Sequence, residues 1–227
     1  MALPAALYYG AKPFNPVLSV AFLLVVSSPV AIIAPTLTNI VKGDTAFVML
    51  LVVVTTLIAP LHLPLMMKVI AGETIQIDVR GMMLTLLQLI IVPFAITLLL
   101  KKIAHKPIKR ALPYLNAISV LLIACLIAGV IAKWAFKIEE HIELILPFFI
   151  IAYALDIFLA CFGYFGFWFF SKEKRIGLAV AILYMNIGLD IVIASEFFSS
   201  QVLLFCIVFE LPINTLPIAI KRFTRNF

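Results

Sequence analysis

Residues 17–41 read VLSVAFLLVVSSPVAIIAPTLTNIV. The stretch carries no charge and is long enough to cross a bilayer, which takes about 20 apolar residues at 1.5 Å rise each. Yet Pro29 and Pro35 interrupt it, with Ser27 and Ser28 just ahead. A proline removes a helix hydrogen bond and its ring clashes with the preceding turn. Two of them so close together predict an unwound or kinked stretch. In lipid, such backbone is tolerated only where it is buried in protein or lines a cavity.

The rest of the chain fits that reading. It has 227 residues, 65% of them hydrophobic and 12% charged, and a mean hydropathy of +1.21. A soluble core does not absorb that much apolar surface. The expected class is an all-α, polytopic helical membrane protein. About seven spans are expected, near 15–41, 45–66, 81–100, 113–136, 142–170, 175–197 and 200–220 (A to G). Span E is long enough to tilt or protrude. Met1–Pro13 lacks the basic start and clean apolar run of a cleavable signal peptide. The cysteines Cys125, Cys161 and Cys206 show no metal-ligand spacing and read as buried thiols.

The charge pattern sets an orientation. Lys42, the cluster Lys101, Lys102, Lys106, Lys109 and Arg110, then Lys172, Lys174 and Arg175, then Lys221, Arg222 and Arg225 all fall on one side. They account for 12 of the 17 basic residues. The positive-inside rule makes that side cytoplasmic, with the C-terminus inside a cell (inner) membrane. The net charge of +6 is thereby used for topology, and no nucleic-acid partner is expected.

Span F holds Asn186, Gly188 and Asp190 near its middle, residue types that loosen a helix. The two interruptions, near residues 32 and 188, are separated by 156 positions, and the helices that follow start near 45 and 200, separated by 155. Spans A and F run in opposite directions. Two broken, oppositely directed helices mark an inverted repeat, whose site lies where they cross, near the midplane. The expected organisation is one membrane domain, 1–227, with 1–66 a partial first repeat and 67–227 the second.

Intramembrane acids are the main clue to function. Asp156, Asp190 and Glu210 each lie inside a span, and a carboxylate in lipid costs several kcal/mol unless it faces a partner helix or a wet cavity. Asp190 lies one turn, about 6 Å, beyond Asn186. Asn186 and Asp190 share a face if the helix is intact there. Asn214 follows Glu210 by four positions and extends a polar stripe. Burial in low dielectric favours the protonated form of a carboxylate, which suits proton exchange near neutral pH. Asp190 and Glu210 are therefore expected to line a central polar cavity and to carry protons or bind a cation, with Asp156 a further candidate. His62, between Pro60 and Pro64, reads as an interfacial packing residue. Asp44, Glu73 and Asp78 read as solvated, and the aromatic residues from Phe162 to Phe170 as an interfacial belt closing span E.

Several stretches carry a family resemblance. Ser28-Pro29, Lys42-Gly43-Asp44-Thr45-Ala46 and Thr55-Thr56-Leu57-Ile58-Ala59-Pro60-Leu61-His62-Leu63-Pro64 resemble the bile acid:sodium symporter superfamily. So do Ile75-Gln76-Ile77-Asp78-Val79, the later Val92-Pro93, and Met185-Asn186-Ile187-Gly188-Leu189. The resemblance implies ten spans in two inverted five-helix repeats, with a core and a panel domain. Spans A to G resemble the fourth to tenth, and Met1–Gly10 the tail of the third. The first two have no counterpart, which implies an N-terminally truncated or reduced homologue. The family's sodium-ligand positions fall on Ala34, Pro35, Val48, Val52, Ala181 and Met185, whose side chains offer no oxygen, leaving Asn186.

The function expected on these grounds is secondary transport of a small organic anion, with sodium or a proton as coupling ion and no other cofactor. Substrate contacts are expected from Pro29, Pro35 and Thr36 and from Asn186 to Asp190, where unwound helix ends offer N–H groups to an anion. Beyond the lipid bilayer and the anion, the expected partners are a second copy of the chain or a partner subunit. The rival readings are a non-transporting partner subunit or inactive truncated homologue, and an intramembrane aspartyl protease built on Asp156 and Asp190. The protease motif is weak, since its second half lacks the first of two glycines.

Overall fold

The computed structural model describes residues 2–72, 76–103 and 139–224, with isolated helical positions between 114 and 135. The described residues form helices: α1 (Ala2–Ala11), α2 (Pro16–Ser27), α3 (Ala34–Ile40), α4 (Thr45–Ala71), α5 (Val79–Ile103), α6 (Ile145–Phe165), α7 (Lys172–Leu183), α8 (Ile187–Phe197) and α9 (Ser200–Thr224). A 3₁₀ turn, Ile142–Leu144, leads into α6. Most of span D and the basic cluster from 106 to 110 lie outside the described residues, as does Glu73.

Local chemistry sets the helix starts. Asn15 caps α2 by accepting from the Val17 and Leu18 amides at 3.0 Å, and Pro16 follows at the first position, where a missing N–H costs nothing. Asp44 caps α4 through Phe47 at 2.9 Å, and Asp78 accepts from Gly81 at 2.9 Å at the head of α5. Asp44 and Asp78, expected to be solvated, thus hold helix ends. Pro60 and Pro64 lie inside α4, and Pro93 inside α5.

Among the described residues, three stretches are long and apolar enough to cross a membrane: Thr45–Ala71, Val79–Leu100 and Ile142–Phe165. α4 and α5 turn many large apolar side chains outward, among them Met49, Leu50, Val53, Leu57, Phe94, Leu98 and Leu99. An exterior of that kind needs lipid against it. The protein is an all-α integral membrane protein.

Spans A and F are both interrupted, as expected, but the second break sits earlier than its composition indicates. It covers Tyr184 to Asn186, while Gly188 and Asp190 are helical in α8. The reason is Asn186, which accepts from the Leu189 amide at 3.2 Å and starts a new helix. Span E ends as a helix at Phe165, and Gly166 to Phe170 form the turn into α7. The belt residues gather there on cations: Arg175 stacks 4.3 Å from the Tyr164 ring centroid, and Lys174 lies over Phe47 and Phe170. Of the cysteines only Cys206 is buried. Cys125 and Cys161 are exposed, because apolar runs also supply the outward faces.

Between helices in lipid, close packing replaces hydrophobic driving force. A Cβ on Gly163 would stand 2.7 Å from the Ala179 Cα, so α6 and α7 touch backbone to backbone. The Lys42-Gly43-Asp44 turn works similarly. Lys42 takes a left-handed φ of 58°, and a Cβ on Gly43 would meet Thr38 Cγ2 at 2.7 Å and the Gly177 amide at 3.1 Å. The Asp44 amide donates to the Glu173 carbonyl at 3.0 Å, fixing the start of α4 against that of α7.

Candidate functional site

The two breaks cross. Val30 and Met185 form an antiparallel bridge, with Asn186 N–H donating to Pro29 O and Ala31 N–H to Tyr184 O, both at 2.8 Å. The Val30 N–H donates to Thr55 Oγ1 at 3.1 Å, while that hydroxyl donates back to Leu51 O at 2.7 Å. The Ser28 hydroxyl faces Asn186 O at 3.4 Å. Backbone freed by unwinding thus finds partners in the opposite break and in α4, as it must where water is scarce.

The flanking helices recur at a nearly constant sequence spacing. α7 begins 156 residues after α2 (172 against 16) and ends 156 after it (183 against 27). Val30 and Met185 are 155 apart, as are the starts of α4 and α9 (45 and 200).

A cavity of about 390 Å³ opens beside the crossing. α2 and its break contribute Ser27, Ser28, Pro29 and Val30; α7 and its break contribute Ala181, Ile182 and Met185. α4 adds Val54, Thr55, Ile58 and His62, and α1 adds Leu3 and Pro4. The volume falls in the range of small-molecule sites, about 300–1,000 Å³, and the wall is mostly apolar with a few polar groups. Of the sequence-singled positions, Pro29, Ala181 and Met185 line it. Pro35 is buried in α3, and Thr36 is exposed. Ser27, Thr55 and His62 also line it, and sequence reasoning gave none of them a binding role. For Thr55 the signal was its place in the family motif. For His62 it was a lone titratable residue among prolines.

The acids stand apart from that cavity. Asp190 is wholly buried in α8; among the described residues neither of its oxygens meets a partner at full hydrogen-bond geometry, the Ser28 hydroxyl lies beside it, and Glu210 and Cys206 are within electrostatic reach. Glu210 is half-buried on α9. Asn214 donates to the Glu210 backbone carbonyl at 2.7 Å. Asp156 in α6 is also wholly buried and unpartnered, and it acts electrostatically on Tyr184, the first residue of the second break. None of the three is among the residues lining the 390 Å³ cavity. Asp190 and Glu210 thus lie within electrostatic reach of each other, as do Asp156 and Tyr184. The sodium-ligand positions of the resemblance are apolar in place: Ala34, Val48, Ala181 and Met185 are buried, Pro35 is buried, and Val52 is half-buried. Among the described residues no group of three or more His, Cys, Asp or Glu side chains is placed to hold a metal ion.

The chain is 30% identical over 168 residues to the uncharacterized protein YbaS of Bacillus subtilis, covering 71% of this chain and 54% of that protein. It is 29% identical over 123 residues to the probable sodium/metabolite cotransporter BASS5, chloroplastic, of Arabidopsis thaliana, covering 54% of this chain and 30% of the relative. It is 25% identical over 115 residues to the uncharacterized sodium-dependent transporter YocS of Bacillus subtilis, covering 51% and 36%. The matched part thus spans about half, or less, of these relatives' length. The model of the Sodium Bile acid symporter family matches residues 3–141, more than half of the chain. The chain belongs to the sodium bile acid symporter family.

Proposed function

We propose that this chain is a secondary transporter of a small organic anion, with its substrate site at the crossing of the two broken helices. The observation that carries this reading is the Val30–Met185 bridge, which holds both breaks at the wall of a 390 Å³ cavity. The repeated spacing of α2 and α7 and the antiparallel crossing support an inverted repeat, with residues 1–66 in a partial first repeat and 67–227 in the second. In this reading α2 with α3, and α7 with α8, each make one composite span of about seven. The C-terminus is cytoplasmic and the membrane is the cell (inner) membrane.

Two relatives are named as sodium-linked carriers. The apolar side chains at Ala34, Pro35, Val48, Val52, Ala181 and Met185 do not fit a sodium ion, which prefers several oxygen ligands. The coupling ion, sodium or a proton, is assigned instead to Asp190 and Glu210, with Asn186 and Asp156 as further contacts. An unpartnered buried carboxylate is costly unless it has work of this kind.

Uptake of a panel of labelled organic acids into liposomes holding the purified chain tests the reading. A saturable flux driven by an imposed proton or sodium gradient is expected. The Asp190→Asn, Glu210→Gln double variant is expected to lose the gradient dependence. Normal gradient-driven uptake by that variant would remove the acids from the mechanism. No flux of any acid would favour the alternative of a non-transporting subunit or inactive truncated homologue.

A further inference from the structure

An anion entering the crossover cavity meets few free donors. The N–H groups of Val30, Ala31 and Asn186 are spent on Thr55, Tyr184 and Pro29, and that of Leu189 on the Asn186 cap. The Thr55 hydroxyl donates to Leu51 O, and the Ser28 hydroxyl faces Asn186 O. Among the lining side chains, two remain. The Ser27 hydroxyl, on a residue only 8% exposed, has no hydrogen-bond partner among the described residues. The half-buried imidazole of His62 reaches the cavity from α4.

We propose that His62, assisted by the Ser27 hydroxyl, recognises the carboxylate of a small organic acid in this cavity. The inference rests on the reading of the chain as an anion carrier and names the group that reads the charge. Among the lining side chains, His62 is the one that can become cationic. A neutral imidazole donates one hydrogen bond. A protonated one donates two and adds charge, and such bonds are about twice as strong. The Ser27 hydroxyl, buried without an acceptor, gains one when a carboxylate oxygen arrives.

Of the elements packed on α4, α2 and α3 carry no titratable side chain. α5 carries Arg80, Lys101 and Lys102 at its ends, and α7 carries Lys172, Glu173, Lys174 and Arg175 in its first turn. α1 offers Tyr8 and Tyr9, and α4 itself adds Lys68. Among the described side chains, none of these lines the cavity.

The test is calorimetric binding of cyclohexanecarboxylate and of its neutral amide to the whole chain in lipid nanodiscs. The measurements run from about pH 8 to about pH 5, across the usual imidazole range. The expected result is preference for the acid over the amide, growing as pH falls. H62Q is expected to bind the acid about tenfold or more weakly, with no pH dependence. H62R, whose charge is permanent, keeps the preference and loses the pH dependence. S27A weakens binding and keeps the pH profile. Acid binding unchanged in affinity and pH profile in H62Q overturns the proposal, as does equal binding of acid and amide. Either outcome leaves the carrier reading standing, because the cavity still takes a solute. Failure of wild type to bind the acid also overturns the proposal, and absence of flux in liposomes would then remove the carrier reading with it.

Discussion

Asn186 N–H donates to Pro29 O at 2.8 Å across 157 residues of sequence, and Ala31 N–H returns a bond of the same length to Tyr184 O. Each break thus supplies what the other lacks. Were either helix to re-form through its break, the other would be left with bare polar backbone in a water-poor interior. The same Asn186 accepts from Leu189 N–H with its side chain, so one residue both ties the crossing and starts α8.

Replacing that side chain isolates the capping role. Asn186→Ala keeps the backbone bond to Pro29 and loses the cap, at a cost of about 1 kcal/mol. Asn186→Ser or Asn186→Asp recovers most of it. Thermal unfolding of the three variants in one detergent checks the order.

Thr55 offers a sharper case. Its hydroxyl is the acceptor for Val30 N–H. Thr55→Val fills the same volume and leaves that N–H without its partner, which costs about 1–3 kcal/mol. Thr55→Ser keeps the acceptor and is expected to unfold close to wild type. A Thr55→Val protein as stable as wild type would mean that Val30 finds another acceptor.

The contact of α6 with α7 predicts a contrast between glycines. Gly163→Ala places a methyl 2.7 Å from the Ala179 Cα and 3.0 Å from Leu178 O, both backbone atoms. The helices must separate, at an expected cost of about 1–3 kcal/mol. Shortening the neighbour, as in Ala179→Gly, does not relieve a clash with backbone. Gly10→Ala, with nothing within 4 Å on α1, is expected to be neutral or to gain up to about 1 kcal/mol from helix propensity. Unfolding midpoints of the single variants and of Gly163→Ala with Ala179→Gly read this directly.

These cases show what the sequence makes legible. Pro29 and Pro35 announce the first break because proline disrupts a helix whatever surrounds it. The second break has no proline. Its Asn, Gly and Asp are permissive rather than breaking residues, so composition centres it near 188 when Asn186 in fact ends it. The acids are visible as singular residues in apolar runs, but their pairing is not. Asp190 comes within electrostatic reach of Glu210 through the packing of α8 along α9. The part of His62 in the cavity wall is hidden for the same reason. A lone histidine on an apolar helix says nothing of which helices lie opposite, and α1, α2 and α7 close the cavity around it from 35 to 120 residues away.

Orientation gives the last prediction. Lys172, Lys174 and Arg175 at the start of α7 belong to the basic set that the positive-inside rule places in the cytoplasm. His141 and Glu143, 4.0 Å apart ahead of α6, then fall on the opposite side, since the long apolar α6 separates them from that turn. In a variant with Cys125, Cys161 and Cys206 replaced by serine or alanine, Lys172→Cys is expected to react with an impermeant maleimide only from the cytoplasmic face. His141→Cys is expected to react only from outside. The reverse pattern would invert the topology and place the Arg175–Tyr164 stack at the outer surface. Labelling of both from one face would mean that α6 does not cross.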